Sequence, residues 1–163
     1  MLRAARADDA ARIAAIYNEG IEDRVATFET SPRSATDVAA WLSSDLPVLV
    51  AELDGDLAGF ARVAPYSDRC VYGGVGEHGV YVARWARGGG VGTALLEGLA
   101  AEAERAGLYK LTARIFTTNA ASLAAHRAAG FSEVGVQRRH GKLDGEWKDV
   151  VLVERLLGDA ARD

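Results

Sequence analysis

The chain has 163 residues, 49% hydrophobic and 26% charged, enough for one buried core without disulfide or metal support. Its formal charge of -4 argues against a general affinity for nucleic-acid phosphates. Only local basic clusters such as Gln137-Arg-Arg-His-Gly-Lys142 remain to hold a small anion.

Residues 2 to 6 read as a short strand, and Met1 to Asp9 carries no secretory apolar stretch. Asp8 and Asp9 offer an N-cap for a helix whose Ala11, Ile13, Ile16 and Tyr17 form an apolar stripe. Thr36 or Asp37 begins a second helix carrying Val38, Trp41 and Leu42. Pro47 to Glu52 reads as a strand, Asp54-Gly55 as a hairpin turn and Leu57 to Ala64 as the returning strand. Cys70 is the single cysteine, so no intrachain disulfide forms, and no base stands beside it to make it a nucleophile. Val75 to Val82 is a further strand, followed by a glycine-rich turn and a long helix from about Val91 to Ala106 that Gly107 terminates. In Lys110 to Phe116 the alternation of Leu111, Ala113 and Ile115 with Thr112 and Arg114 predicts a strand. Asn119 caps another helix, ended by Gly130, and two β segments, Phe131 to Arg138 and Trp147 to Leu156, turn around Leu143-Asp-Gly145. No apolar run is long enough to cross a bilayer, so a soluble cytoplasmic protein without membrane partners is expected. Antiparallel strands followed by strand-helix-strand units predict an α/β domain over residues 1–163, a mixed sheet with helices on both faces.

The sharpest chemical signal is Val80-Tyr81-Val82-Ala-Arg-Trp-Ala-Arg87-Gly88-Gly89-Gly90-Val91-Gly92-Thr93, between a strand and a helix. Glycines let several backbone N–H groups converge on one anion, because no Cβ blocks the approach. The helix N-terminus adds about half a positive charge, and Arg87 can add a mobile full one. A Walker loop would need a lysine before Thr93, and the dinucleotide fingerprint fails because Gly88 and Gly90 are followed by Thr93, and Gly90 and Gly92 by Leu95. What remains is Arg-x-x-Gly-x-Gly, at Arg87, Gly90 and Gly92.

That pattern resembles the coenzyme A signature of the GNAT acetyltransferases. Three further segments resemble the phosphinothricin N-acetyltransferase branch, and most closely its arsinothricin-resistance members: Ile16 to Phe28, Glu77-His-Gly-Val-Tyr-Val82, and Arg139 to Val150. The resemblance implies the GNAT acyl-CoA N-acyltransferase fold, with a mostly antiparallel central sheet, acetyl-CoA as cosubstrate, no metal, and a homodimer. It places Asn119 and Ser122 near the pantetheine and phosphates, although Asn119 also suits a helix N-cap. At position 126 many relatives carry a tyrosine that protonates the departing thiolate; here it is His126, equally readable as a packed histidine.

Acetyl transfer needs a neutral amine, and amines titrate at roughly 8 to 10. At pH 7 a positioned carboxylate therefore removes a handicap of about 10- to 1000-fold. Glu77 matches the acidic residue of the branch and is the expected base, with His78 in reserve on the opposite side of a regular strand. Glycines 73, 74, 76 and 79 suggest a bulge that frees a backbone N–H for the thioester carbonyl. The resemblance implies a glutamate-like acceptor ending in a phosphinate or arsinate, held by Arg69 and Tyr72, with Lys142 as a further cation and Phe28 as an apolar wall. Trp147 is expected to pack and Asp149 to be structural. Two alternatives stay open: acetylation of methionine sulfone, methionine sulfoximine or another small amine, and a non-catalytic acyl-CoA sensor.

Overall fold

The computed structural model describes residues 1–162. In chain order the elements are β1 (Leu2–Ala4), α1 (Ala10–Asp23), α2 (Ala35–Leu42), β2 (Val48–Leu53), β3 (Asp56–Pro65) and β4 (Val75–Val82). They continue with α3 (Val91–Arg105), β5 (Lys110–Phe116), α4 (Ala120–Ala128), β6 (Ser132–Leu143) and β7 (Glu146–Leu156). The strands form one seven-stranded sheet in the order β1-β2-β3-β4-β5-β7-β6. Every neighbouring pair is antiparallel except β4 and β5.

Strand periodicity distributes the helices. Leu49 and Ala51 of β2 pack with Leu95, Leu96 and Leu99 of α3, whereas Val50 between them packs with Ile13 and Ile16 of α1 and Val38 of α2. Successive strand side chains point to opposite faces, so α3 and α4 cover one face and α1 and α2 the other. That is why β2 reads as an unbroken apolar run rather than an alternating one. The three α3 leucines have no exposed surface, and burial of each contributes about 2 kcal/mol.

Local signals mislead at several boundaries. The first strand stops at Ala4 rather than residue 6, and residues Ala7–Asp9 form a 3-10 turn before α1. Asp9 stands at the N-cap position of α1 as expected, but its side chain makes no capping hydrogen bond there. Its carboxylate instead accepts from the Arg6 amide (2.7 Å) and from both terminal nitrogens of Arg3 (2.8 and 2.9 Å). Helix α2 starts at Ala35, where Ser34 accepts from the Asp37 amide and Asp37 reaches back to the Ser34 amide, a reciprocal cap. Strand β6 runs on to Leu143, through irregularities between Glu133 and Gly135 and between Gln137 and Gly141.

Arg3 is also 2.7 Å from Glu52, so one guanidinium joins β1, the turn and β2. The Arg3 hydrogen bond holds the nearly buried Asp9 carboxyl below the ordinary carboxylate range. A depressed folded value means this contribution is complete above the unfolded pKa, about 3.9, and is lost as pH falls through the folded value. Asp9→Asn is therefore expected to cost about 2 kcal/mol at pH 7. In denaturant titrations the gap from wild type should close below about pH 4; a gap independent of pH would contradict the ionic origin.

Candidate functional site

The site begins where the sheet comes apart. Strands β4 and β5 pair only through Val75↔Lys110, Gly76↔Leu111 and Glu77↔Thr112, although β4 continues to Val82 and β5 to Phe116. Ala83 N donates to Ala58 O at 2.7 Å, which phases the antiparallel β3–β4 ladder. The odd residues Glu77, Gly79 and Tyr81 therefore direct their backbone groups to β3, and the even residues His78, Val80 and Val82 direct theirs into the fork. A cavity of about 630 Å³ fills the fork, lined by residues 78 to 82, the glycine turn and α4. The β3–β4 register is continuous from Gly59↔Val82 to Pro65↔Gly76, so the expected bulge is absent. It is not required, because divergence from β5 already leaves the Val80 N–H without a strand partner.

At the wide end of the fork lies the glycine turn. Gly88 and Gly90 have φ of 84° and 83°, a conformation that favours glycine. Gly92 is different: a Cβ there would meet only Val82 Cγ2 at 3.6 Å and Ala125 Cβ at 3.9 Å, ordinary contacts. Nothing in the protein itself requires glycine at 92; the added methyl would instead occupy cavity space. Gly90 caps α3 without a side-chain acceptor. Ala94 N, donating to Gly90 O, is the first amide here with a backbone acceptor, and among the described residues the amides from Gly88 to Thr93 have none. Unpaired amides at a helix N-terminus fit a diphosphate. Arg87 is less mobile than expected. Its Nη1 is 2.7 Å from Asp23 Oδ2 and its Nε donates to Val82 O at 3.1 Å.

On the face covered by α1 and α2, Glu77 stands at the point where β4 and β5 part, and does not line the cavity itself. Its Oε1 is 3.7 Å from Nη1 of Arg114, which lines the cavity. Arg69 and Tyr72 lie in and beside the 3-10 turn before β4, exposed, with the guanidinium 5.9 Å from the Tyr72 ring. Neither lines the cavity. Phe28 packs edge-on against Phe116, with ring centroids 4.7 Å apart, beside Leu143 and Val150. It forms a wall under the β6–β7 hairpin. Lys142 places Nζ 4.5 Å from the Trp147 ring centre. Trp147, expected to pack, is 53% exposed and packs against the Lys142 ammonium rather than in the core, on the hairpin at the β6 edge of the sheet. Asp149 is structural as expected: it accepts from the Arg139 amide at 2.7 Å, where Arg139 has φ 49°.

Sequence alone does not single out Asp23 or Arg114 as site residues. Arg114 has a legible signal, a charge in the middle of the polar phase of an alternating strand. Asp23 has none, since it is 64 residues from Arg87 and meets it only after α1 packs across the sheet. Among the described residues no group of three or more His, Cys, Asp or Glu could hold a metal. No helix there is long and apolar enough to cross a membrane.

Asn119 caps α4 by accepting from Ser122 N at 3.2 Å, and it also lines the cavity. Below it lie two buried histidines, with Nε2 of His78 and Nε2 of His126 2.9 Å apart. His126 Nδ1 is 2.7 Å from the Ser122 carbonyl oxygen. A carbonyl only accepts, so Nδ1 of His126 carries the proton, its Nε2 accepts, and Nε2–H of His78 donates. Burial, then proximity to His126, pushes His78 down to about 3. Burial also lowers His126. His78, buried on the face opposite Glu77, is therefore removed as a reserve base. Imidazole ¹⁵N NMR should show His126 protonated at Nδ1 and His78 at Nε2. Both rings should remain neutral at pH 6, where an ordinary histidine is mostly charged; a charged pair would contradict this assignment.

Residues 13–131 match the acetyltransferase (GNAT) family. The chain is 39% identical over 161 residues to a phosphinothricin N-acetyltransferase of Alcaligenes faecalis, covering 96% of this chain and 82% of that one. It is 32% identical over 158 residues to an L-methionine sulfoximine/L-methionine sulfone acetyltransferase of Pseudomonas aeruginosa, covering 94% and 92%. The crystal structure of a phosphinothricin acetyltransferase from Sinorhizobium meliloti in complex with AcCoA superposes with a TM-score of 0.92 at 32% identity, covering 100% and 91%. A sensor without catalysis is the reading these similarities set aside. The forked sheet, the diphosphate-sized cradle and these relatives together assign the chain to the GNAT family of acetyl-CoA-dependent N-acetyltransferases, in its phosphinothricin-acetyltransferase-like branch.

Proposed function

We propose that residues 1–163 form one catalytic domain that acetylates the amino group of a small glutamate-like amino acid analogue, arsinothricin or phosphinothricin, by direct transfer in a ternary complex. The observation that supports it best is the fork itself. A cradle for a diphosphate opens at its wide end, and a carboxylate stands at its apex on the opposite face. Acetyl-CoA supplies the activated acyl group. The amides from Gly88 to Thr93 and the Arg87 guanidinium hold its diphosphate, with Val80 to Val82, Asn119 and Ser122 along the pantetheine. Glu77 receives the amine proton, and the Val80 N–H donates to the acyl oxygen as charge develops there. His126 lies beside the leaving sulfur. The C–N bond forms as the C–S bond breaks and coenzyme A leaves as the thiolate. Because His126 is neutral and its Nε2 accepts from His78, it lines that position without a proton to give, and the thiolate takes its proton from solvent. Arg69, Tyr72, Lys142 and Phe28 complete the acceptor set in this reading.

Similarity to the Pseudomonas enzyme favours a second acceptor class, methionine sulfone or sulfoximine. Acetylation rates across the four acceptors separate the two readings. The resemblance also extends to a cytoplasmic homodimer, for which exposed Val134 and Val136 on the edge strand β6 offer apolar surface.

Gly92→Ala should leave the melting temperature unchanged or slightly raised, since alanine favours a helix. It should weaken acetyl-CoA binding in calorimetry by roughly tenfold, about 1.4 kcal/mol. Undiminished affinity would remove the cradle from its role. Glu77→Gln should reduce turnover at pH 7 by roughly 100-fold, with the deficit shrinking toward pH 10 as the free amine becomes neutral. A parallel pH–rate profile would show that Glu77 does not take the proton.

A further inference from the structure

Strand β3 carries a charge, Arg62, that has no carboxylate partner among the described residues. Arg62 lies directly opposite Gly79 of β4, one cross-strand step from Glu77↔Ala64. Residues opposite one another share a face, so Arg62, Gly79 and Glu77 all look toward α1 and α2. The stacking of Phe60 on Tyr81, with centroids 5.4 Å apart, confirms that face for the neighbouring pair. Arg62 and Glu77 are diagonal neighbours, whose backbones are separated by about 7–8 Å.

The guanidinium of Arg62 lies over the Trp41 indole, 4.2 Å from its centre, and its Nε is buried without an acceptor. Among the described residues no carboxylate pairs with it. Arg114, the cation on the β5 side of Glu77, is already engaged: its Nε donates to Gln137 Oε1 at 2.9 Å and its Nη1 faces Glu77. Between the two arginines Gly79 contributes no side chain. A Cβ there would meet only Tyr81, at 3.4 Å, so the protein's own packing leaves that space open. A buried donor without a partner is costly, and burial works against the charge of this guanidinium.

We propose that Arg62 binds the α-carboxylate of the acceptor, so that the site selects α-amino acids over simple amines. This rests on the reading of Glu77 as the base for the acceptor amine. In an α-amino acid the carboxylate and the amine share one carbon, so a cation that holds the carboxylate must stand beside that base. Arg62, one cross-strand step from Glu77 on the same face, is a cation there without a carboxylate partner among the described residues. Stacking on Trp41 holds its plane in place before the ligand arrives, and the planar fork matches a carboxylate's two oxygens.

The test compares methionine sulfone with 3-(methylsulfonyl)propylamine, which differs only in lacking the carboxylate, at saturating acetyl-CoA. For Arg62→Gln we expect KM for methionine sulfone to rise roughly 10- to 100-fold, with kcat changed less. The KM for the amine and that for acetyl-CoA should stay within about threefold of wild type. Arg62→Lys, which keeps a point charge, should restore part of the loss and carries the same comparison if Arg62→Gln does not fold. Equal losses with both acceptors would make Arg62 a packing partner of Trp41, and no loss with methionine sulfone would also overturn the assignment. Wild-type protein that binds acetyl-CoA yet acetylates no primary amine would overturn the acceptor reading and this proposal together.

Discussion

Three residues of parallel pairing hold the two halves of the sheet together, and the chemistry depends on their ending at Glu77 and Thr112. Had β4 and β5 stayed paired to their ends, the backbone groups of Val80 and the Val82 N–H would have been consumed by a ladder. Divergence leaves them facing a cavity, where buried backbone polar groups need partners. A long thin ligand that carries amides is the kind of molecule that supplies such partners along its length. The regular β3–β4 ladder makes this opening rigid on one side, and β7 does the same for β5.

The opening joins two chemically distinct faces. On the α3–α4 side are backbone amides, glycines and a helix N-terminus, suited to a diphosphate. On the α1–α2 side are side-chain charges, Glu77 between Arg114 and Arg62. Separate faces allow two substrates to approach one point from opposite directions without competing for the same groups, which is the geometric requirement for direct transfer. Even the charge balance at the glycine turn is set by the opposite layer, because Asp23 of α1 holds Arg87. The arginine there is already paired, while the amides from Gly88 to Thr93 have no backbone acceptor among the described residues.

The histidine pair shows why one residue's reading depends on another's. His126 alone, on a helix beside the cavity, suits a general acid. Its Nδ1 contact with Ser122 O and its Nε2 contact with His78 restrict it to one neutral tautomer. In that tautomer neither ring has a proton free for a leaving group, so the pair stands against the role that position 126 alone suggests.

The glycine turn, the strand-helix order around it and the acidic residue ahead of it were all legible in the sequence. Each is a local pattern: Gly88 and Gly90 mark positive φ, and the alternation in Lys110 to Phe116 marks a strand. The start of α1 at Asp9 was legible, but the use of the Asp9 carboxylate was not, because it has two equally local uses and only the proximity of Arg3 decides between them. The pairing of Asp23 with Arg87, the meeting of His78 with His126, and the row from Arg62 to Arg114 were not legible. They join residues on different elements, brought together by strand order and helix packing. By itself the sequence determined the turn chemistry and the face each side chain presents, because these follow from backbone conformation and a two-residue period. Tertiary structure alone decided where β4 and β5 part and which charges are left without partners there, because both depend on contacts between segments far apart in the chain.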